Sequence, residues 1–186
     1  MESEPIAEEW KNLLRPLSLS ELRHSERLST LPTRMRSAAP YPYYGIEFGE
    51  PLYRCALSGR DFVVFGRDLG GYYAADDGDG DGTVFYLYTD DGQAQEVFAN
   101  TSLEAFCACH NLFIEYAKRR AAREIEAEAA AEVLDRLLRE KDPSAIENDE
   151  TFWPMRLYEL SEDFFPLDAS RLDFHRRRSE PPPSLL

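Results

Sequence analysis

Residues 76–91 have the sequence DDGDGDGTVFYLYTDD, in which one apolar run lies between two acidic, glycine-rich segments. The run from Val84 to Tyr88 combines aromatic and β-branched side chains, which favour a β-strand. The flanking aspartates and glycines favour tight turns. The stretch therefore predicts an antiparallel hairpin with negatively charged tips.

Similar strand-like runs stand before and after this one, separated by Gly or Asp turns. The five predicted strands are Leu52–Leu57, Asp61–Gly66, Gly71–Ala75, Thr83–Thr89 and Gln95–Ala99. Strands that follow one another through short turns pair in antiparallel fashion. We therefore predict a meander sheet of about five mostly antiparallel strands.

Helical spacing of apolar residues begins after the last strand, from Leu103 to Ala117. Thr101 and Glu104 have the spacing of a capping box. Residues 118–141, rich in Ala, Glu and Leu, either extend this helix or form a second one. Asp142-Pro143 interrupts it, and residues 152–160 supply another apolar face. The predicted fold class is α+β, with the sheet packed against flanking helices.

The two ends of the chain differ from this centre. Residues 4–15 have the apolar spacing of a short helix, and residues 17–42 predict no firm element beyond one helical turn. Residues 171–186 are charged and proline-rich, so we expect a disordered tail. Since 186 residues that are 43% hydrophobic can bury one core, we predict a single domain over residues 1–170.

The charge of the chain predicts the kind of partner that it binds. It has 35 acidic and 21 basic residues, a formal net charge of −14, and ten acids but no Lys or Arg between Arg67 and Lys118. Such a protein attracts basic partners, whereas nucleic-acid binders neutralise phosphates with Lys and Arg. The predicted contact residues are Asp76, Asp77, Asp79, Asp81, Asp90, Asp91, Tyr72, Tyr86 and Trp153.

The three aromatic candidates each have a second interpretation. Trp153, which precedes Pro154, either anchors the last helix to the core or lines a partner-binding groove. Tyr72 and Tyr86 lie on strands of which one face must be core. An outward tyrosine there is either plain surface or a contact platform.

The aspartates of residues 77–82 also match the start of a calcium-binding loop, in which alternate carboxylates surround the ion. The match ends there, because Tyr88 stands where the loop needs a bidentate Glu and a strand follows in place of a helix. An acidic hairpin loop is the alternative. Cys107, Cys109 and His110 lack a second pair of zinc ligands nearby. The sequence predicts no metal site and no cofactor.

No motif in the chain points to catalysis or to a membrane. The sequence has no G-x-S-x-G elbow, no phosphate-binding loop and only three histidines, so we predict no catalytic residues and no enzyme. It also has no signal segment and no run of 18 apolar residues. We expect a cytoplasmic protein with reduced thiols at Cys55, Cys107 and Cys109.

Several segments resemble a known family. Residues 60–73 (RDFVVFGRDLGGYY), the acidic turn with its strand, and residues 96–106 (EVFANTSLEAF) resemble the sheet-to-helix core of the SUKH superfamily. The segments DPSAI at 142–146, FWP at 152–154 and LYEL at 157–160 are similar to the ending of its group usually numbered four. The resemblance covers residues 45–160.

The resemblance implies a SUKH-like α+β fold and a bacterial immunity protein. Such a protein binds a cognate polymorphic toxin, often one directed at nucleic acid or nucleotides, and blocks the toxin's active site. It brings no catalytic residues. An acidic hairpin agrees with this role, because a nuclease-type toxin presents a basic cleft. The alternative is a calcium-binding or regulatory protein-interaction module. No oligomeric state is predicted.

Overall fold

One six-stranded antiparallel sheet organises the chain, whose computed structural model describes residue 10 and residues 12–17, 25–39, 46–78 and 81–164. The strands lie side by side in chain order. They are β1 (Leu14–Leu17), β2 (Glu47–Leu57), β3 (Arg60–Arg67), β4 (Gly71–Asp76), β5 (Val84–Asp90) and β6 (Gln93–Asn100).

Four helices accompany the sheet in the described part of the chain. They are α1 (Ser25–Arg34), α2 (Leu103–Ala121), α3 (Ala127–Lys141) and α4 (Phe152–Ser161), with a 3-10 turn at Pro143–Ile146 between the last two. All four contribute side chains to the core on one face of the sheet. The α+β prediction with an antiparallel meander is confirmed, and the sheet has one strand more than predicted.

Both faces of the sheet bury apolar side chains, which explains why its strands have nearly continuous apolar runs. Phe65 and Tyr73 face the helices and contact Phe106 of α2, with ring centroids 5.8 and 5.4 Å apart. On the opposite face Trp10 packs edge-on against Tyr72, with the centroids 5.1 Å apart. Alternate residues along each strand therefore serve two separate cores.

The first strand corrects the C-terminal end of the helix predicted over residues 4–15, in which Trp10 is helical. Leu14 and Arg15 lie in β1, where Leu14 stands opposite Cys55 on β2. Residues 4–9 and 11 lie outside the described residues. Pro16 is tolerated in β1 because this strand is at the edge of the sheet, where a missing N–H breaks no ladder. Pairing with β2 outweighs the local helical spacing.

Helix α1 corrects the prediction of no firm element in residues 17–42. It spans Ser25–Arg34 and contains Pro32. Leu28 and Leu31 are buried in the core beneath it, together with Met35 just beyond its end. Asn111 of α2 accepts from the Arg36 N–H and donates to the Arg34 carbonyl. Tertiary packing thus specifies this helix.

The structure decides two points about the helices that follow the sheet: which residue caps α2, and whether residues 118–141 extend it. Ser102, and not Thr101, caps α2, since its hydroxyl accepts from the Ala105 N–H at 3.1 Å. Residues 118–141 do not extend α2, because the chain leaves it after Ala121 and Arg123 has a φ of +59°. Helix α3 then returns as a separate element. The predicted tail at 171–186 lies outside the described residues and stays a prediction.

Candidate partner-binding site

The two acidic turns lie at opposite ends of the sheet. Strand β5 connects them, and the antiparallel register places Val84 beside Ala75 at one end and Tyr88 beside Gly71 at the other. We call these the 76–83 end and the 90–93 end, after the turn that each contains. Because β5 has seven residues, the turns are separated by about 20 Å along the strand. The acids predicted as one charged hairpin therefore form two separate groups.

At the 76–83 end, two of the predicted contact acids hold the turn together. Asp76 accepts from the Gly78 N–H at 2.8 Å, and Asp77 binds the Arg54 guanidinium at 2.6 Å. The Asp77 side chain is only 14% exposed. Asp81 is exposed, and Asp79 lies outside the described residues. The carboxylates of Asp76 and Asp77 therefore stabilise the turn itself.

At the 90–93 end, both predicted acids face solvent. Asp90 and Asp91 are exposed, and Asp90 stands opposite Gln93 in the last pair of the β5–β6 ladder. Asp91 has a φ of +46° and Gly92 one of +74°, the left-handed pair that a two-residue hairpin turn requires. The turn geometry therefore presents two adjacent carboxylates outward.

The three aromatic candidates belong to the core. Tyr72, Tyr86 and Trp153 expose 9%, 5% and 1% of their surface. Side chains so deeply buried leave almost no area for a partner. Of the two interpretations given above, the geometry favours anchoring for Trp153 and core packing for both tyrosines.

A polar cluster that the sequence analysis missed joins the β3–β4 turn to α4. Asp68 accepts hydrogen bonds from the hydroxyls of Tyr73 and Tyr86, both at 2.6 Å, and from the backbone N–H groups of Gly70 and Gly71. Arg156 of α4 donates to the same carboxylate at 2.6 Å. Both ionic side chains are largely buried, with 12% and 17% of their surface exposed.

The environment of the Asp68 cluster favours charged Arg156 and neutral tyrosines. Burial raises the pKa of Tyr73 and of Tyr86 well above the usual range, and the neighbouring Asp68 charge adds to that rise. Burial, the largest single effect, lowers the pKa of Arg156, but Asp68, the two tyrosines and Glu159 together outweigh it, and the net shift is upward. The tyrosines therefore stay protonated and serve as hydrogen-bond donors.

A second buried network links the end of β6 to the helices. Asp142 accepts from the Asn100 amide at 2.9 Å, the Thr101 N–H at 2.8 Å and the Thr101 hydroxyl at 3.2 Å. Trp153 donates its indole N–H to the Asn100 side-chain oxygen at 2.8 Å. Asn100 thus connects the sheet, the α3–α4 junction and α4 at one point.

The match to a family model decides the identity of this fold. The model of the SUKH-4 immunity protein family matches residues 47–159, more than half of the 186-residue chain. This chain belongs to the SUKH-4 immunity protein family. The matched region begins at the first residue of β2 and includes both acidic turns, the Asp68 cluster and the Asn100 network. The chain shows no significant match to any curated protein or solved structure.

Membership in the SUKH-4 immunity protein family supports a role as an immunity protein. The described residues contain no group of three or more His, Cys, Asp or Glu side chains placed to hold an ion. Among the described helices, none is both long and apolar enough to cross a membrane.

The cysteines of this SUKH-4 protein are buried, free thiols. Burial, reinforced by the Glu96 charge, raises the pKa of Cys55 to about 11. Burial also raises the pKa of Cys109 to about 12, against a hydrogen bond from Asn100 that lowers it. Because the thiolate is the nucleophile, such thiols are unreactive near neutral pH.

His110 of α2 is 4% exposed, and neither ring nitrogen has a hydrogen-bond partner within the part of the chain that the structure describes. Burial lowers its pKa to about 4, and the smaller raising effects of the Asp68 charge and the neighbouring Asn111 side chain do not offset it. In the unfolded chain the pKa of His110 is near 6.5. Between that value and the folded-state value of about 4, protonation of His110 therefore favours the unfolded state.

We therefore expect the SUKH-4 protein to lose stability on acidification because of His110. The free energy of unfolding should be insensitive to this group above about pH 6.5 and should fall by about 2 kcal/mol between pH 7.5 and pH 5. The His110→Phe variant should lack this component. Urea unfolding of both proteins at the two pH values measures the difference. Equal losses in both proteins would refute the assignment.

Proposed function

We propose that this protein binds a cognate toxin domain and neutralises it by covering its active site. The observation that carries the proposal is the match to the SUKH-4 immunity protein family over residues 47–159. A protein that neutralises a toxin needs a complementary surface and no chemistry of its own. The proposal therefore includes no catalytic step and no cofactor.

The charge of the chain supports a basic toxin. A net charge of −14 favours encounter with a positively charged surface and disfavours nucleic acid as a direct partner. Toxins that act on nucleic acids or nucleotides need cationic groups around the phosphates of their substrates. We propose a toxin of this class, acting in the bacterial cytoplasm, where the free thiols of the chain stay reduced.

We propose Asp90 and Asp91 as the acids that steer this encounter, with Asp81 as the exposed acid at the other end of the sheet. An interface of standard size buries about 800 Å² on each partner, which corresponds to a patch about 30 Å across. Because the two acidic turns are about 20 Å apart along β5, a patch of that width centred on one turn does not have to include the other. Asp76 and Asp77 are excluded as test positions because both hold the turn.

Replacing Asp90 and Asp91 with Asn should slow association with the toxin by about 3-fold or more at low ionic strength. The difference should shrink as salt is added, since exposed charges act mainly on the association rate and are screened. Stopped-flow binding across salt concentrations measures it. The partner used is the protein encoded beside the gene for this chain, in an inactivated form.

The matched control for this variant is Asp149→Asn combined with Glu150→Gln. These exposed, adjacent acids lie between the 3-10 turn and α4, and their replacement gives the same change of net charge. An effect of equal size in both variants would mean that only net charge matters. An effect of Asp81→Asn alone would move the contact to the 76–83 end.

A further inference from the structure

The exposed apolar side chains of this protein concentrate in one region. Within the described ranges, four large apolar side chains are exposed by more than a third, with fractions between 39% and 62%. They are Leu69, Met155, Tyr158 and Phe164. One lies in the β3–β4 turn, and the other three lie on α4 or just after it. Single exposed apolar residues are common on proteins, but their concentration on two adjoining elements is not.

The Asp68–Arg156 ion pair brings these two elements together. Leu69 directly follows Asp68, and Met155 directly precedes Arg156, so the 2.6 Å contact joins the two segments that carry them. Arg156 also binds Glu159 at 2.8 Å and lies over the rings of Tyr86 and Phe152. Helix α4 is thereby held beside the turn.

The turn that carries Leu69 has little conformational freedom. Asp68 accepts from the Gly70 and Gly71 N–H groups at 2.9 and 3.1 Å, and its own N–H donates to the Gly71 carbonyl at 3.0 Å. A Cβ on Gly71 would collide with the Leu87 carbonyl oxygen, so the turn contacts β5 directly. Its buried side is fully constrained while the Leu69 side chain points outward, 44% exposed.

An exposed leucine on a rigid turn suits binding, because little conformational entropy is lost when it enters a partner's pocket. Interfaces also concentrate their affinity in a few well-held apolar or aromatic anchors surrounded by a polar rim. Leu69 and Tyr158 have the character of such anchors. Neither contributes to either core.

The charges around these side chains define the partner. The turn 67–71, the turn 90–93 and residues 155–163 together carry six acidic residues and two arginines. Both arginines are in ion pairs, Arg67 with Glu47 and Arg156 with Asp68, and Asp163 is paired with Arg120 at 2.9 Å. Asp90, Asp91 and Glu162 are the exposed acids that supply the excess negative charge. The 67–71 and 90–93 turns lie at the same end of the sheet, about 10 Å apart across two strands. An acidic rim therefore adjoins the apolar side chains.

We propose that Leu69, Met155, Tyr158 and Phe164 form the contact surface for the toxin, and that its counterpart there is an apolar recess within a basic surface. This inference rests on the proposed immunity function and assigns it a location. The acidic rim steers the approach, and the apolar side chains supply the affinity.

The test measures the equilibrium affinity of Leu69→Asp and Tyr158→Asp for the inactivated protein encoded beside the gene for this chain. Each variant should bind about 30-fold or more weakly than the wild type, as expected when an interface anchor is lost. An added carboxylate would strengthen a purely electrostatic contact with a basic partner. A weaker complex therefore identifies the apolar contact itself.

The control is Ser58→Asp, which adds the same charge at the turn between β2 and β3, at the other end of the sheet. It should bind within about 2-fold of wild type, the range of a surface substitution outside the contact. Thermal melts should show all three variants folded. Wild-type affinity in both Leu69→Asp and Tyr158→Asp overturns this contact surface and leaves the immunity function intact.

Two further outcomes distinguish the possibilities. If the wild-type protein itself does not bind the neighbouring gene product, the proposed function fails and this inference fails with it. Sedimentation of the protein without its partner tests whether a second copy of the chain covers this surface. A wild-type dimer that Leu69→Asp converts to a monomer would show that a second copy covers this surface, which also overturns the proposal.

Discussion

Replacing Trp153 with alanine should lower the free energy of unfolding by about 4 kcal/mol, as expected for deleting a fully buried aromatic side chain. Trp153 is 1% exposed and contacts the rings of Phe106, Phe113 and Phe152 at centroid distances of 5.0–6.2 Å. Its indole N–H also satisfies the buried oxygen of Asn100. The substitution creates a cavity and leaves that oxygen without its donor.

Trp153→Phe provides the matched control, because it keeps most of the apolar contact and removes the indole N–H. It should cost about 1–2 kcal/mol, the range for an unsatisfied buried acceptor with some loss of volume. Denaturant unfolding followed by circular dichroism measures both variants. If Trp153→Ala were as stable as the wild type, the Asn100 network would not be holding α4 to the sheet.

Replacing Asp68 with alanine should cost about 3 kcal/mol, the low end of the range for breaking a buried ion pair. The variant loses five hydrogen bonds, donated by Gly70, Gly71, Tyr73, Tyr86 and Arg156. It also leaves the Arg156 cation beside two buried tyrosines. Arg156 retains Glu159 and some exposure, which limits the loss.

Substituting the other partner of the ion pair, Arg156, separates the contributions of the two residues. Arg156→Met should cost about 1 kcal/mol less than Asp68→Ala, because it removes one of the five hydrogen bonds to Asp68, whereas Asp68→Ala leaves two buried tyrosine hydroxyls and two backbone N–H groups without their acceptor. Glu115→Ala, which breaks the exposed pair with Arg36, is the control and should leave the unfolding midpoint unchanged. Equal stability of Asp68→Ala and wild type would contradict the structural role of the cluster.

The central strands were predictable because their residues satisfy local and tertiary preferences at once. The run Val84–Tyr88 is apolar on both faces of the sheet and is bounded by turns, so its position and type follow from sequence. Strand β1 was not predictable in this way. It has only four residues and contains Pro16, and it exists because β2 offers a free edge for pairing.

The placement of the two acidic turns was available from topology, although the sequence analysis treated them as one surface. In an antiparallel meander each strand reverses direction, so successive turns alternate between the two ends of the sheet. The turns that precede and follow β5 must therefore lie apart. The prediction of one charged hairpin was based on charge and did not take into account that successive turns alternate between the two ends of the sheet.

The Asp68 cluster could not be predicted because its partners are distant in the sequence. Arg156 meets Asp68 across 88 residues, and only the packing of α4 on the sheet joins them. The local signal was present in Asp68-Leu69-Gly70-Gly71, an aspartate followed by glycines that typically closes a turn on its own carboxylate. That signal indicates a turn but says nothing of the buried arginine.

The most direct test of the immunity role is a growth assay in bacteria that express the toxin domain encoded beside the gene for this chain. We predict that cells expressing the toxin alone stop growing and that co-expression of this protein restores growth. Co-expression of the Leu69→Asp, Tyr158→Asp double variant, checked for normal folding, should restore it less. If growth stays arrested while soluble, folded wild-type protein accumulates in the same cells, the immunity function is contradicted.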